Sequence, residues 1–229
     1  MAKMNPMFSY QGTYNNVTEV HSKLYGRHMR KARGTNKPAL LNEAFQKSVS
    51  LNQLANPVAK VVKDALDPFR EGFRDGSMWG RLVGLFKRHF RQNVNLDLSI
   101  LEDFELYDKI YLSTHYHVET AVSILRGREP SLSIELASGC SLSLEKYGVD
   151  SYAQTLIVVF LDTDLRATTR SELVMVPLKK RDHKQLLQWP IPVGTKWILI
   201  VVKCEPYRDG EPIGRVKTKA MSVLKVCQV

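Results

Sequence analysis

The stretch KLYGRHMRKARGTNKP, from Lys23 to Pro38, sets Lys23, Arg27, Arg30, Lys31, Arg33 and Lys37 within sixteen positions and contains no acid. Each of these side chains can neutralise a phosphate, and Tyr25 and His28 between them can stack or hydrogen-bond. Contacts of that kind release counterions, so they bind a polyanion in a salt-dependent way and read little sequence. The competing use of the same residues is a solvated segment that orders against a neighbouring subunit.

Two other groupings carry chemistry. His115 and His117 in STHYHVE stand two residues apart, a spacing that puts both imidazoles on one side of a strand, with Glu119 continuing that side. They are the candidate metal ligands, although the sequence offers no third or fourth ligand beside them. Asp162 and Asp164 in FLDTDLR follow an apolar run, where catalytic or calcium-binding acids occur, and where ordinary turns also place acids; no glycine-spaced calcium loop follows. The chain contains no GxSxG, no GxxxxGK[ST], no HExxH and no GxGxxG after a strand. Cys140, Cys204 and Cys227 are far apart and without CxxC spacing, so they read as incidental thiols rather than a disulfide framework or zinc site. These observations imply no catalytic residue, no cofactor and no small-molecule substrate; a metal-dependent enzyme is the least favoured reading.

The charge is unevenly placed. Lys plus Arg against Asp plus Glu is 7 to 1 over residues 1–37, 9 to 5 over 38–95 and 17 to 17 over 96–229, so the net charge of +10 belongs to the first 95 residues. A basic front on a neutral body points to a polyanionic partner more than an even excess does. With 229 residues and 44% hydrophobic content the chain can bury a core. No run approaches the roughly 18 apolar residues of a spanning helix, and MAKMNPMFSYQGTYNN lacks the apolar stretch of a secretory signal. The expected location is the cytoplasm, or a particle assembled there.

The elements that must position these groups divide the chain in three. Residues 1–37 show no sustained period and read as a basic extended arm with one short strand around Asn16 to Val20. Residues 38–95 read as a helical segment. Asn36 is the expected cap with Pro38 in the first turn, Pro57 implies two helices or one kinked helix, and Ser77 is the expected cap of a last helix. In that helix Trp79, Leu82, Val83, Phe86 and Phe90 line one side, a face for packing within the chain or for self-association. Its composition also resembles that of a membrane-surface helix, with packing inside the chain the preferred use.

Beyond Asn93 to Asp97 the grammar changes to strands. PSLSIELASG, YAQTLIVVFLDT, SELVMVPLKK, KQLLQWPIP, KWILIVVKCEP and GRVKTKAMSVLKV are separated by turn-forming or polar residues. That spacing predicts an antiparallel β-sandwich of immunoglobulin or fibronectin type III character over residues 96–229, and an α+β fold for the whole.

The order of YQGTYNNV, YGRHMRKARGTN and LLNEAFQKSVSLNQLANPVAKVV, followed by a β-sandwich, resembles an uncharacterised family of small bacterial proteins found mainly in Bacteroidota. Members often show a second Gly and an RSRP-like basic motif, which GRHMRKARG approximates. The resemblance implies the architecture and assigns no functional residue. The reading that follows is a non-enzymatic structural protein, such as a virion or particle component, that forms a homo-oligomer or larger assembly through its basic arm and helical segment. The arm also provides for nucleic acid, and the alternative is a non-specific nucleic-acid-binding architectural or regulatory protein.

Overall fold

In the computed structural model, which describes residues 12–14, 17–22, 26–31, 42–73, 76–178, 183–214 and 218–229, residues 1–46 and 47–229 form two units. The first holds an antiparallel three-stranded sheet of β1 (Gly12–Tyr14), β2 (Val17–Ser22) and β3 (Gly26–Lys31). The expected arm with one short strand is thus corrected to a sheet. Val17 pairs with Lys31 and Ser22 with Gly26, a register that runs the length of both longer strands.

The second unit takes its helices from 3.6-residue apolar stripes. In α1 (Glu43–Leu66) the buried positions are Leu51, Ala55, Val58, Ala59, Val62 and Leu66. The helix starts at Asn42, whose Oδ1 accepts the Phe45 N–H at 2.9 Å; the expected cap Asn36 and Pro38 lie outside the described residues. Pro57 does not divide it. The proline is exposed, and water can satisfy the backbone carbonyl that its missing N–H leaves unbonded. The next helix, α2 (Met78–Gln92), buries Met78, Leu82, Phe86 and His89. Ser77 precedes it without capping it, because its hydroxyl donates to Asp108 Oδ2 at 2.6 Å and accepts from Arg81 Nε at 3.1 Å.

The remaining elements are the short α3 (Leu112–His115), β4 (Tyr116–Leu125), β5 (Ser131–Cys140), β6 (Ser151–Asp162), β7 (Ala167–Pro177), β8 (His183–Pro190), β9 (Thr195–Arg208), β10 (Glu211–Pro212) and β11 (Ala220–Gln228). One sheet runs β10-β9-β6-β7, with β11 also paired to β9, and the other runs β4-β5-β8; all pairings are antiparallel. With helices packed on antiparallel sheets, the class is α+β.

The runs TLIVVFL and WILIVV have no alternation because both faces of their strands are covered. Ile157, Val159 and Leu161 of β6, with Leu199 and Val201 of β9, share a core with Val58, Val62, Leu82 and Phe86 of the helices. The intervening Leu156, Val158, Phe160, Ile198 and Ile200 share a second core with Leu132 and Ile134 of β5. Each such side chain removed from water contributes about 2 kcal/mol. Strand β11 joins the same layers through a bulge between Val223 and Lys225. The extra residue lets Met221, Val223 and Val226, spaced by two and then three, all reach the helix-side core.

The expected change of grammar near Asn93 to Asp97 coincides with the end of α2. Asp97 Oδ1 accepts the Ser99 N–H at 2.9 Å and caps a 3₁₀ turn over Leu98–Leu101. Leu98 and Leu101 are fully buried in the same core as the helices, so the helical segment and the strand-rich part share one interior. No helix among the described residues is long and apolar enough to cross a membrane.

Candidate functional site

The basic segment is held by the β2–β3 pairing. Alternation along the two strands puts Arg27 on one face with Glu19 and Met29, and Arg30 on the other with His28 and Val20. Arg27 Nε lies 3.9 Å from Glu19 Oε1, too long for a hydrogen bond. Arg30 and Met29 are exposed. Lys23, Tyr25, Arg33 and Lys37, the other residues of the expected polyanion contact, lie outside the described residues, as does the Lys31 side chain. The described part of the hairpin therefore shows cationic residues on both faces of a ribbon.

The apolar face of α2 is turned inward. Leu82 and Phe86 are fully buried, Val83 and Phe90 pack partly buried against the same core, and Trp79 stays exposed. Its cations divide in the same way. Arg81 donates to the Glu105 backbone oxygen at 2.6 Å and stacks over Phe104, and Lys87 Nζ reaches Ser48 Oγ at 3.4 Å. Arg88 and Arg91 are exposed.

The two histidines do not share a strand face. His115 closes α3 and is buried, edge-on to Tyr147 and 3.5 Å from Ser143 Oγ, whereas His117 lies on β4, exposed, and contacts Glu119 Oε1 at 3.0 Å. The helical turn over Leu112–His115 breaks the alternation on which their juxtaposition depended. Among the described residues no group of three or more His, Cys, Asp or Glu side chains is arranged to hold a metal ion. Asp162 has a local role: its Oδ1 accepts the N–H groups of Asp164 and Arg166 at 2.9 and 2.8 Å, closing the β6–β7 turn. Cys204 is buried, and Cys140 and Cys227 are half-buried.

One chemically distinctive group was not singled out from the sequence. Glu105 lines a cleft of about 350 Å³ together with Asp103, Tyr111 and His117. Its Oε1 accepts the Leu112 N–H at 2.9 Å, while Oε2 is buried without a partner among the described residues. Burial pushes its carboxyl up to about 7, with the Asp103 charge adding to the rise and the Leu112 hydrogen bond and Arg81 opposing it. Such a group exchanges a proton near neutrality. In DFELYD the only sequence signal was an acid alternating with Phe104 and Leu106, which any half-buried edge segment shows.

No family model matches the chain, and no curated protein matches its sequence. Among solved structures, a Bordetella pertussis protein designated ApaA is 9% identical, with 49% of this chain and 89% of that one covered at a TM-score of 0.34. A structural genomics target, SoR45, is 9% identical over 52% of this chain and 88% of that one, with a TM-score of 0.29.

Proposed function

We propose that this chain is a non-enzymatic assembly protein, for example a component of a virion or other particle assembled in the cytoplasm, in which a basic arm and a helical segment, carried on a sandwich-like body, contact subunits and the arm also takes nucleic acid. The observation that carries this reading is the confinement of the whole +10 charge excess to residues 1–95. The hairpin adds to it, because Arg27 and Arg30 occupy opposite faces of the ribbon. Cations on two sides suit charge neutralisation between polyanion and protein better than insertion of one face into a groove. Two antiparallel sheets meeting through Leu132, Ile134, Phe160 and Ile198 are the basis for including an immunoglobulin or fibronectin type III likeness in the reading.

Light scattering of the full chain and of a variant lacking residues 1–37, each with and without a nonspecific RNA or DNA, tests it. The assembly reading expects large species that grow with concentration and diminish on deletion. Salt-sensitive nucleic-acid binding by a monomer or dimer that never grows further would select the architectural nucleic-acid-binding protein instead. A strictly monomeric full chain with no affinity for nucleic acid would overturn both.

A further inference from the structure

The 11-residue strand β7 is the outermost strand of its sheet: it pairs with β6 along its whole length, without a register shift, and with no other strand among the described residues. The opposite side of this sheet is managed differently. Segment 103–106 lies along β11, exchanging backbone hydrogen bonds between Asp103 and Val223, Phe104 and Val223, and Leu106 and Met221.

The residues of β7 whose backbone groups face outward follow from its turn. Asp162 N–H donates to Arg166 O and Leu165 N–H to Asp162 O, so the backbone N–H and C=O of residue 162 both point toward the β7 side, opposite 165 and 166 together. Alternation along an antiparallel ladder then gives 160 with 168, 158 with 170, and so on as bonded pairs. Thr169, Ser171, Leu173 and Met175 are left with N–H and C=O directed away from β6. Pro177, which has no N–H, falls in the same non-bonded set, as this register requires.

Such an edge is a template for another strand, and natural proteins blunt it with lysine, proline or a bulge. From Ala167 to Val176 this one has none of the three. It instead exposes Leu173 and Met175, at 59% and 45%. Arg170 and Glu172 are also exposed, and neither joins an ion pair among the described residues. At the edges of the other sheet, β8 carries the exposed Lys184 and ends at Pro190, and on β4 the exposed Glu119 already contacts His117 at 3.0 Å.

We infer that β7 pairs edge to edge with β7 of a second copy of this chain, antiparallel about a twofold axis at Ser171. Charge selects the register. Outward-facing residues must oppose one another, so the axis falls on a residue. An axis at 170 sets Arg170 against itself, and one at 172 sets Glu172 against itself. At Ser171, Arg170 of each copy lies opposite Glu172 of the other, giving two cross-strand pairs by symmetry, while Leu173 faces Thr169 and Met175 faces Ala167. The two central sheets then continue into one another. The inference rests on the assembly reading and names one of its contacts, made without residues 1–37.

Sedimentation velocity over a concentration series, on the full chain and its variants, tests it. The unaltered chain is expected to associate reversibly through a species of twice its 26.1 kDa mass. R170E sets carboxylates against carboxylates and should weaken that step roughly tenfold to a hundredfold, whereas R170E/E172R, with the charges exchanged, should restore it. S171P removes an outward N–H that β6 does not use and should abolish the step while circular dichroism stays unchanged. Association by R170E equal to that of the unaltered chain, or no recovery in the double variant, overturns the edge contact; the deletion of residues 1–37 then judges the assembly reading separately. An unaltered chain that is monomeric throughout overturns both.

Discussion

Lys219 Nζ stands 2.6 Å from Glu205 Oε1, and 9% and 17% of the two side chains are exposed. Lys203 approaches the same carboxylate at 3.6 Å, and both ammonium groups lie over the ring of Phe73, at 5.3 and 4.7 Å from its centroid. One carboxylate thus balances two cations at the rim of the helix-side core. Replacing Glu205 by Gln leaves both without their counter-ion and should cost about 3 kcal/mol. Lys203→Met should cost less, since the closer pair survives. Urea unfolding of the two variants checks the order.

Glu105 predicts a pH dependence. Its carboxyl is pushed up to about 7 from an ordinary 4.5, so the folded state holds a proton that the unfolded chain releases. The associated stability is present below about 4.5 and is lost as pH rises through about 7. Allowing for the solvent that still reaches the group, the loss should be about 1–2 kcal/mol. Glu105→Gln keeps an acceptor for the Leu112 N–H and should flatten this part of the profile. Denaturant midpoints measured from pH 4 to 8 compare the two proteins.

The β6–β7 turn separates a structural from a catalytic role for its acids. Asp162→Ala abandons two backbone N–H groups and should destabilise by about 1–2 kcal/mol. Asp164→Ala, at an exposed position, should stay within about 0.5 kcal/mol. Equal effects would contradict the turn assignment. Beside them Leu165 adopts φ of +60° while its side chain packs partly buried against the helix-side core. A β-branched residue suffers most in that left-handed region, so Leu165→Val should destabilise more than Leu165→Gly although it retains more apolar surface. Thermal melts of both variants rank them.

The two ends of the α2 stripe should respond unequally. Phe86 is fully buried, and Phe86→Ala should cost about 3–5 kcal/mol. Trp79 is 40% exposed, and Trp79→Ser should cost under about 1 kcal/mol. If Trp79→Ser instead changed the oligomer while leaving the melting temperature alone, α2 would contribute to self-association.

Much of this fold was legible. Strands β6 and β9 announce themselves as apolar runs, and the stripe of α2 and that of α1 from Val58 to Leu66 appear at their helical spacing, whereas Phe45 and Val49, spaced in the same way, stay exposed. What the runs do not say is why they are continuous: two cores, one supplied by helices tens of residues upstream, cover the two faces, and a sequence read locally contains only the runs. The histidine pair misled because Leu112–His115 closes into a turn just before β4, shifting His115 inward. Ser77 was a reasonable cap by residue type, but Asp108, distant in sequence, competes for its hydroxyl. The basic segment was visible as charge, whereas its ribbon depends on cross-strand pairs such as Thr18 with Arg30, which leave no periodic trace.

The double-sided burial of β6 and β9 also makes the two parts of the unit mutually dependent. A fragment starting near residue 96 would retain every long strand of the two packed sheets yet bare the face that Val58, Leu82 and Phe86 cover. A fragment of residues 42–95 would have the complementary apolar stripe and nothing to set it on. Neither piece should fold alone, but mixed together they should find one another, and the native spectrum should return only in the mixture. Cut where its grammar changes, the chain should therefore behave as two halves of a split protein.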